Sequence, residues 1–272
     1  PRWGTTTGST SQFASAGHDE NAHSVGASAG SITIAASSMA LDGDLKGAAI
    51  TGPQQLEAAR QPGSLSLNFR AQQLSRAPLE LPFYSPTPPD IVFSNAASGL
   101  PAADPFALNG SGVPLALRLE RQDAVVLSPT LLTTQGFGSL LVDNSDGNIS
   151  VPADVTLSTP LTGTIIFRGA NIDIQGSVSA PGGTIDFIAY NISPYTTAIL
   201  QAQGPTAVIP AVDPSRGHIT IGSTASLSAR GTIVDDRVDS PTRALVPLEV
   251  LRSNADGSTS YVSTTAGGSI SL

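Results

Sequence analysis

Hydrophobic and polar positions alternate along this chain in short runs, and seven of those runs open in the same way. Glycine, a polar residue, an aliphatic, any residue, then an aliphatic or Phe begins at Gly30 (GSITI), Gly63 (GSLSL), Gly138 (GSLLV), Gly163 (GTIIF), Gly183 (GTIDF), Gly217 (GHITI) and Gly268 (GSISL). Alternation with a period of two marks a strand with one buried face. The polar residue is expected to point outward and the two apolar residues inward. The glycine is expected to supply a positive φ at a tight corner. Several copies lead into a second run, as at Asn148-Ile149-Ser150-Val151, Asn171-Ile172-Asp173-Ile174 and Ser226-Leu227-Ser228. A third piece, Ser177-Val178-Ser179-Ala180, runs into Pro181-Gly182-Gly183 and the next copy.

A strand unit that returns after as few as 20 residues, as from Gly163 to Gly183, cannot bury its apolar face alone and must stack on its neighbours. Two or three short strands per turn, joined by corners, is the layout of a parallel β-helix. The expected class is therefore all-β, a parallel β-helix solenoid with long inserted loops. Asn171 and Asn191, at matching offsets, are expected to stack as a ladder of side-chain amides. At about 4.8 Å per coil, seven to nine coils would give a rod of roughly 35–45 Å. Unless neighbouring coils cover them, its end strands would be open edges, and the isolated fragment would be prone to end-to-end pairing.

The gaps between copies reach 75 residues, from Gly63 to Gly138. The long gaps are expected to be insertions leaving one corner of the stack, since the strands cannot absorb them. The chain then divides into a flexible segment or partial coil over 1–29, coils over 30–74, a Pro-rich insertion over 75–137, coils over 138–234, an inserted loop over 235–266 and the start of a further coil over 267–272. Pro78, Pro82, Pro86, Pro88, Pro89, Pro101, Pro105 and Pro114 predict extended loop rather than central strand in the largest insertion. Leu115–Leu119 and Ala124–Leu127 are candidate extra strands within it. A further insertion is expected near 193–216. Helix is expected to be nearly absent, the best candidate being Gln54–Gln61.

Composition supports an elongated body with small polar side chains. Charged residues make up 12% of the 272, about half the usual share. The net charge is −8 with no basic cluster, which excludes a nucleic-acid footprint. There are no cysteines, so disulfides, thiol chemistry and Cys-ligated zinc are excluded. No apolar run approaches the length of a membrane-spanning helix. The chain starts at Pro1 and stops inside an expected strand at Leu272, as an internal fragment of a longer protein would.

Three stretches resemble the filamentous-haemagglutinin family of large bacterial exoproteins. One is Gly136-Phe137-Gly138-Ser139-Leu140 with Asp146-Gly147-Asn148-Ile149 and Val155-Thr156-Leu157. The others are Ile172–Gly183 and Gly267–Leu272. The resemblance covers most of 30–272 and is best over 136–235. It implies a right-handed parallel β-helix, carried out of the cell by an outer-membrane secretion partner (two-partner secretion) and displayed on a Gram-negative surface. It also implies a structural and adhesive role, with a host-cell, matrix or carbohydrate receptor. The Asn-Pro-Asn-Gly-type motif of that family's secretion domain is absent, which makes this piece shaft.

β-Helices also carry polysaccharide lyases and glycoside hydrolases, so paired carboxylates matter. Asp235, Asp236 and Asp239 form the densest group, with Arg216-Gly217-His218 nearby. Two carboxylates about 5–9 Å apart can act as acid and nucleophile or base. The further carboxylates and basic motif of those enzymes are missing, so a solvated acidic loop is the expectation. Asp42-Gly43-Asp44 and Asp143-Asn144-Ser145-Asp146-Gly147 offer oxygen donors for calcium, but neither has EF-hand spacing, and Asp-Gly is first a turn signal. His18 and His23 lie beside Asp19 and Glu20 near the N-terminus, and His218 takes the outward place on its strand. Gly110-Ser111-Gly112 lacks the strand and helix of a nucleophile elbow. Phe83, Tyr84, Tyr190 and Tyr195 would suit sugar stacking if exposed, whereas Phe167 and Phe187 are expected in the core. No catalytic, cofactor or metal residue is assigned. The alternative to the shaft is a carbohydrate-active enzyme or a carbohydrate-binding module.

Overall fold

A computed structural model describes residues 26–50, 61–69, 88–96, 99–100, 108–113, 115, 117–204, 208, 210–231, 233–235, 251–253, 259–264 and 267–272. The chain is mostly β, with parallel strands in one large sheet, two short α-helices and one 3₁₀ turn (Pro129–Leu131) among the described residues.

All seven glycine motifs open strands. Six of them lie side by side in one stack: β1 (Ser31–Ala35), β2 (Gly63–Asn68), the first half of β5 (Phe137–Val151), the first half of β7 (Thr164–Ile174), β9 (Thr184–Ala189) and β15 (Ser269–Ser271). The register repeats the sequence alignment. Ser31, Ser64, Ser139, Thr164, Thr184 and Ser269 form one row, and Ile32, Leu65, Leu140, Ile165, Ile185 and Ile270 the next. The second row faces the core, where Leu65, Leu140, Ile165 and Ile185 are buried. Among the described residues six copies stack here, and the seventh lies elsewhere.

That copy, β10 (His218–Ile221), pairs with the second half of β7, so Gly217-His218-Ile219 follows the Asn171-Ile172 pattern rather than the Gly163-Thr164-Ile165 one. The second stack contains β4 (Ala124–Leu127), β3 (Asp90–Phe93), the second halves of β5 and β7, and β10. A third stack holds β6 (Thr156–Ser158), β8 (Ser177–Ser179) and β11 (Ser226–Ser228), with Leu157, Val178 and Leu227 in one inward row. Serines and threonines occupy the other positions of these short strands.

β3 corrects the expectation of extended loop in the proline-rich part of 75–137. It is a central strand between β4 and β5, and Ile91 and Phe93 are fully buried. Pro88 and Pro89 precede it without entering its hydrogen-bonded run, and proline is barred only from the run itself. Ala124–Leu127 is a strand, whereas Leu115, Leu117 and Arg118 are not; α1 (Leu119–Asp123) starts there instead. Of the helix expected at Gln54–Gln61, all but Gln61 lies outside the described residues. An unforeseen helix, α2 (Pro194–Gln203), begins with Pro194 behind Ser193, whose Oγ accepts from Thr196 N at 3.1 Å.

The glycines act differently from expectation. Of the seven motif glycines only Gly217 has a positive φ, 87°. At Gly63, Gly163, Gly183 and Gly268 the residue is small because successive layers touch there. A Cβ on Gly63 would stand 2.8 Å from Gly30 O, and one on Gly163 2.5 Å from Gly138 O. At Gly183 and Gly268 the clash is with the carbonyl of the preceding layer's glycine and is tighter still.

Inside, Phe93, Phe167 and Phe187 stack with ring centroids 5.4 and 5.2 Å apart, the second pair nearly parallel at 8°. Phe167 and Phe187 are thus the core partners expected of them. Each fully buried side chain of this size contributes about 1.5–3 kcal/mol of transfer free energy, and the column links β3 of the second stack to β7 and β9 of the first.

The insertions leave from more than one corner, not one. Residues 190–216 lie between the first and second stacks, and 236–268 between β12 and β15. The latter span includes β13 (Leu251–Ser253) and β14 (Thr259–Thr264), which form a small antiparallel sheet with β12 (Ile233–Asp235). The fold expected over 1–25 lies outside the described residues.

Candidate functional site

The corner between the first and second stacks gathers a connected group of charged and amide side chains. Its first component is a bulge in β5, where the register breaks between Asn144 and Asn148. Three residues there, Ser145, Asp146 and Gly147, must turn the chain from one stack to the next without a partner residue opposite. Asn144 is fully buried and holds the turn together: its Nδ2 donates to Pro89 O at 2.7 Å and to Asn148 O at 3.2 Å. Asp143 is 4% exposed and accepts from Ser145 Oγ. Gly147 is needed because a Cβ would meet Pro89 O at 2.8 Å.

The second component is a hydrogen-bonded row along the stack. Asn148 Nδ2 donates to Asp90 Oδ1 at 2.9 Å, Asn171 Nδ2 donates to Asn148 Oδ1 at 3.0 Å, and His218 N donates to Asn171 Oδ1 at 3.1 Å. An amide ladder therefore exists, but Asn171 stacks with Asn148 rather than Asn191. Asn191 begins the insertion instead, and its carbonyl accepts from Asp213 N at 3.1 Å.

The third component is Arg216, at the returning foot of the 190–216 insertion. Its Nε donates to Tyr190 O at 2.7 Å, on the departing foot, and its Nη2 donates to Ser145 O at 2.8 Å, on the bulge. Nη2 also lies 3.0 Å from Asp146 Oδ1, with both side chains about nine-tenths buried. That carboxylate oxygen has no aligned hydrogen-bond donor, so the attraction is coulombic. Beside it, Asp213 Oδ1 accepts from Ser215 N at 2.9 Å and Ser215 Oγ at 2.7 Å. These two bonds hold the Asp213 carboxyl below its usual range.

The structure thus brings together Arg216, His218, Asp143 and Asp146, which the sequence reading had assigned to separate constellations. Arg216 is turned toward Asp146 and two carbonyls. Asp236 and Asp239 lie outside the described residues, and only the backbone of Asp235, ending β12, is described. His218 is exposed, with Nε2 at 2.8 Å from Pro214 O. Asp42 forms a two-pronged pair with Arg121, 2.8 Å at each oxygen, and Asp44 is exposed. Ser111 sits in a loop closed by Asn109 Oδ1, which accepts from Ser111 N and Val113 N at 2.9 Å each. Tyr190 and Tyr195 are half-buried. His18, His23, Asp19, Glu20, Phe83 and Tyr84 lie outside the described residues. Among the described residues, no three His, Cys, Asp or Glu side chains gather as metal donors, and no helix is long and apolar enough to cross a membrane.

Asp90 carries no sequence pattern that would have flagged it, and Asn144 stood out only as part of the 143–147 turn. Asn148 could have been found, since it precedes Ile149 as Asn171 precedes Ile172. The chain matches no family model, no curated protein and no solved structure.

The arrangement is a clasp. It ties both feet of an insertion to the stack and to each other, using charge and hydrogen bonds where the stacks change direction.

Proposed function

We propose that the chain is a structural and adhesive shaft segment of a secreted bacterial exoprotein, coiled as a right-handed parallel β-helix. In this reading an outer-membrane partner exports the parent protein to the cell surface, and the loops meet a host-cell, matrix or carbohydrate receptor. The observation that carries it is the stacking of short parallel strands in three stacks whose registers follow the repeated sequence motifs. A body built by repetition gives length and a rigid surface. The outward hydroxyl rows of β6, β8 and β11 suit a solvated exterior. The clasp at Arg216 supports the loop part of the reading, because a contact loop binds with less ordering cost when its feet are fixed.

The test uses the purified 272-residue chain on beads, applied to epithelial cells, matrix proteins and a glycan panel, with polysaccharide cleavage assayed in parallel. Saturable binding that falls when 191–212 is replaced by a short Gly/Ser linker supports the adhesive role. Release of reducing or unsaturated sugar ends would replace it with the enzyme. Absence of binding to every surface would remove adhesion from this segment.

A further inference from the structure

We infer that the chain cuts itself at the Asp213–Pro214 peptide bond in mildly acidic solution, with the Asp213 carboxylate as the nucleophile. The inference goes beyond the adhesive shaft and does not rest on it. Among peptide bonds, Asp-Pro is the one most readily cleaved by acid. The carboxylate reaches its own carbonyl carbon by closing a five-membered ring, and the prolyl nitrogen is a basic leaving group. Asp213, Pro214 and Ser215 are all exposed, so water and protons reach the bond.

The returning foot of the 190–216 insertion prepares this bond with four sets of contacts. Asp213 N donates to Asn191 O at 3.1 Å, which anchors the residue to the departing foot. Arg216 N donates to Asp213 O at 3.3 Å, so the carbonyl under attack already faces a donor where negative charge would develop. Ser215 N and Oγ both donate to Asp213 Oδ1, at 2.9 and 2.7 Å, which fixes the carboxylate and leaves Oδ2 to attack. His218 Nε2 lies 2.8 Å from Pro214 O, on the residue whose nitrogen must leave with a proton. An imidazole is the side chain suited to deliver one in mild acid.

In the reaction, Oδ2 bonds to the Asp213 carbonyl carbon and the bond from that carbon to Pro214 N breaks. The nitrogen takes its proton from His218 or solvent. The cyclic anhydride left on Asp213 adds one water and opens to two carboxyl groups, so the net change is hydrolysis of one peptide bond. The step needs an ionised carboxylate and an available proton together, two conditions that compete as pH falls. The bonds from Ser215 hold the Asp213 carboxyl below its usual range, which keeps the nucleophile ionised further into acid. The charged and titratable groups around the turn are Arg216, whose charge acts in the same direction, His218, and Asp146 behind Arg216. After the cut the two pieces stay together, because β10 and β11 of the second remain paired with β7 and β8 of the first.

The test incubates the purified 272-residue chain between about pH 4 and 6, spanning the range just above the ordinary aspartate value. Intact mass and N-terminal sequencing follow the products, with the chain folded or unfolded in guanidinium chloride. A new N-terminus at Pro214 is expected, appearing several-fold faster in the folded chain, with both pieces eluting together on gel filtration without denaturant. Asp104-Pro105, the other such dipeptide in the sequence, reports the lability that the residues alone confer once the chain is unfolded. Ser215→Ala and His218→Gln, each checked by circular dichroism, are expected to slow the cut several-fold, and Asp213→Asn to abolish it. Absence of the Pro214 terminus overturns the inference. So does cleavage at the same rate in the unfolded chain, or a rate that Ser215→Ala and His218→Gln both leave unchanged.

Discussion

Replacing Gly183 by alanine isolates the role of the glycine row. An alanine Cβ there would stand 2.8 Å from Gly163 N and 2.9 Å from Gly163 C, and closer still to the carbonyl oxygen, where ordinary contact begins at 3.4 Å. None of these is a side chain that can swing away. Relief requires β7 and β9 to part, which stretches the 2.9 Å bond from Thr184 N to Gly163 O toward breaking. A lost hydrogen bond costs about 1 kcal/mol and overpacking of this kind about 1–3 kcal/mol. Against this, the stiffer unfolded chain returns about 0.4–1 kcal/mol. The net expectation is a loss of about 2–3 kcal/mol. Urea unfolding followed by far-UV circular dichroism reads it as a lower midpoint at unchanged slope. Gly43→Ala is the control, with nothing within 4 Å of its Cβ position and an expected change within about 0.5 kcal/mol. A Gly183→Ala protein as stable as the Gly43→Ala one would refute the close-approach explanation.

Four further outcomes are expected. Phe167→Ala removes the middle ring of the column and should cost about 3–5 kcal/mol in the same assay, whereas Phe167→Leu should cost clearly less. Arg216→Ala leaves Asp146 facing the bulge without its cation, a loss of about 3–5 kcal/mol for a buried pair; limited proteolysis should then cut within 190–216 faster, and Arg216→Ala with Asp146→Asn should recover part of the loss. Thr162 has φ 59°, a left-handed conformation that costs a β-branched residue about 1–2 kcal/mol, so Thr162→Gly should raise the thermal midpoint. Because the Asp213 carboxyl is held below its usual range, its two bonds to Ser215 stabilise the loop foot above the ordinary carboxylate pKa and are lost as pH falls through the folded value. Amide exchange at Ser215 should accelerate in that acid window for wild type and stay flat for Asp213→Asn.

Where the sequence was legible, the physics was local repetition. The alternation after each glycine reports burial directly, so all seven strands and the inward rows could be read from it. The reason for the glycines could not, because a tight turn and a close approach between layers select the same residue. Assignment of strands to stacks failed where a motif fitted two places: Gly217-His218-Ile219-Thr220-Ile221 resembles the first-stack strands, yet an insertion had already carried the chain past that corner. Asn191 misled for the same reason, since its match to Asn171 ends where the insertion begins. β3 was hidden by its proline-rich surroundings and by its own sequence, Asp90-Ile91-Val92-Phe93, whose three apolar residues in a row do not alternate. The clasp was least legible, because Arg216, Asp146, Ser145 and Tyr190 meet only through stacking, and no spacing encodes that.

β4 has a consequence for the order in which the structure forms. It sits beyond β3 in the second stack, so the chain lays down β3 and then doubles back to fill the outer place. The pairings of β5, β7 and β9 join successive segments close in sequence, which closes short loops and favours early formation. The end of the stack near β1 must wait for a segment that arrives after Asp123. As the chain emerges from its N-terminus, that end cannot be completed first, and the middle of the protein becomes the seed on which the earlier residues settle. Pulse-labelled amide exchange during refolding should accordingly protect Ile165 and Ile185 before Leu65 and Val125.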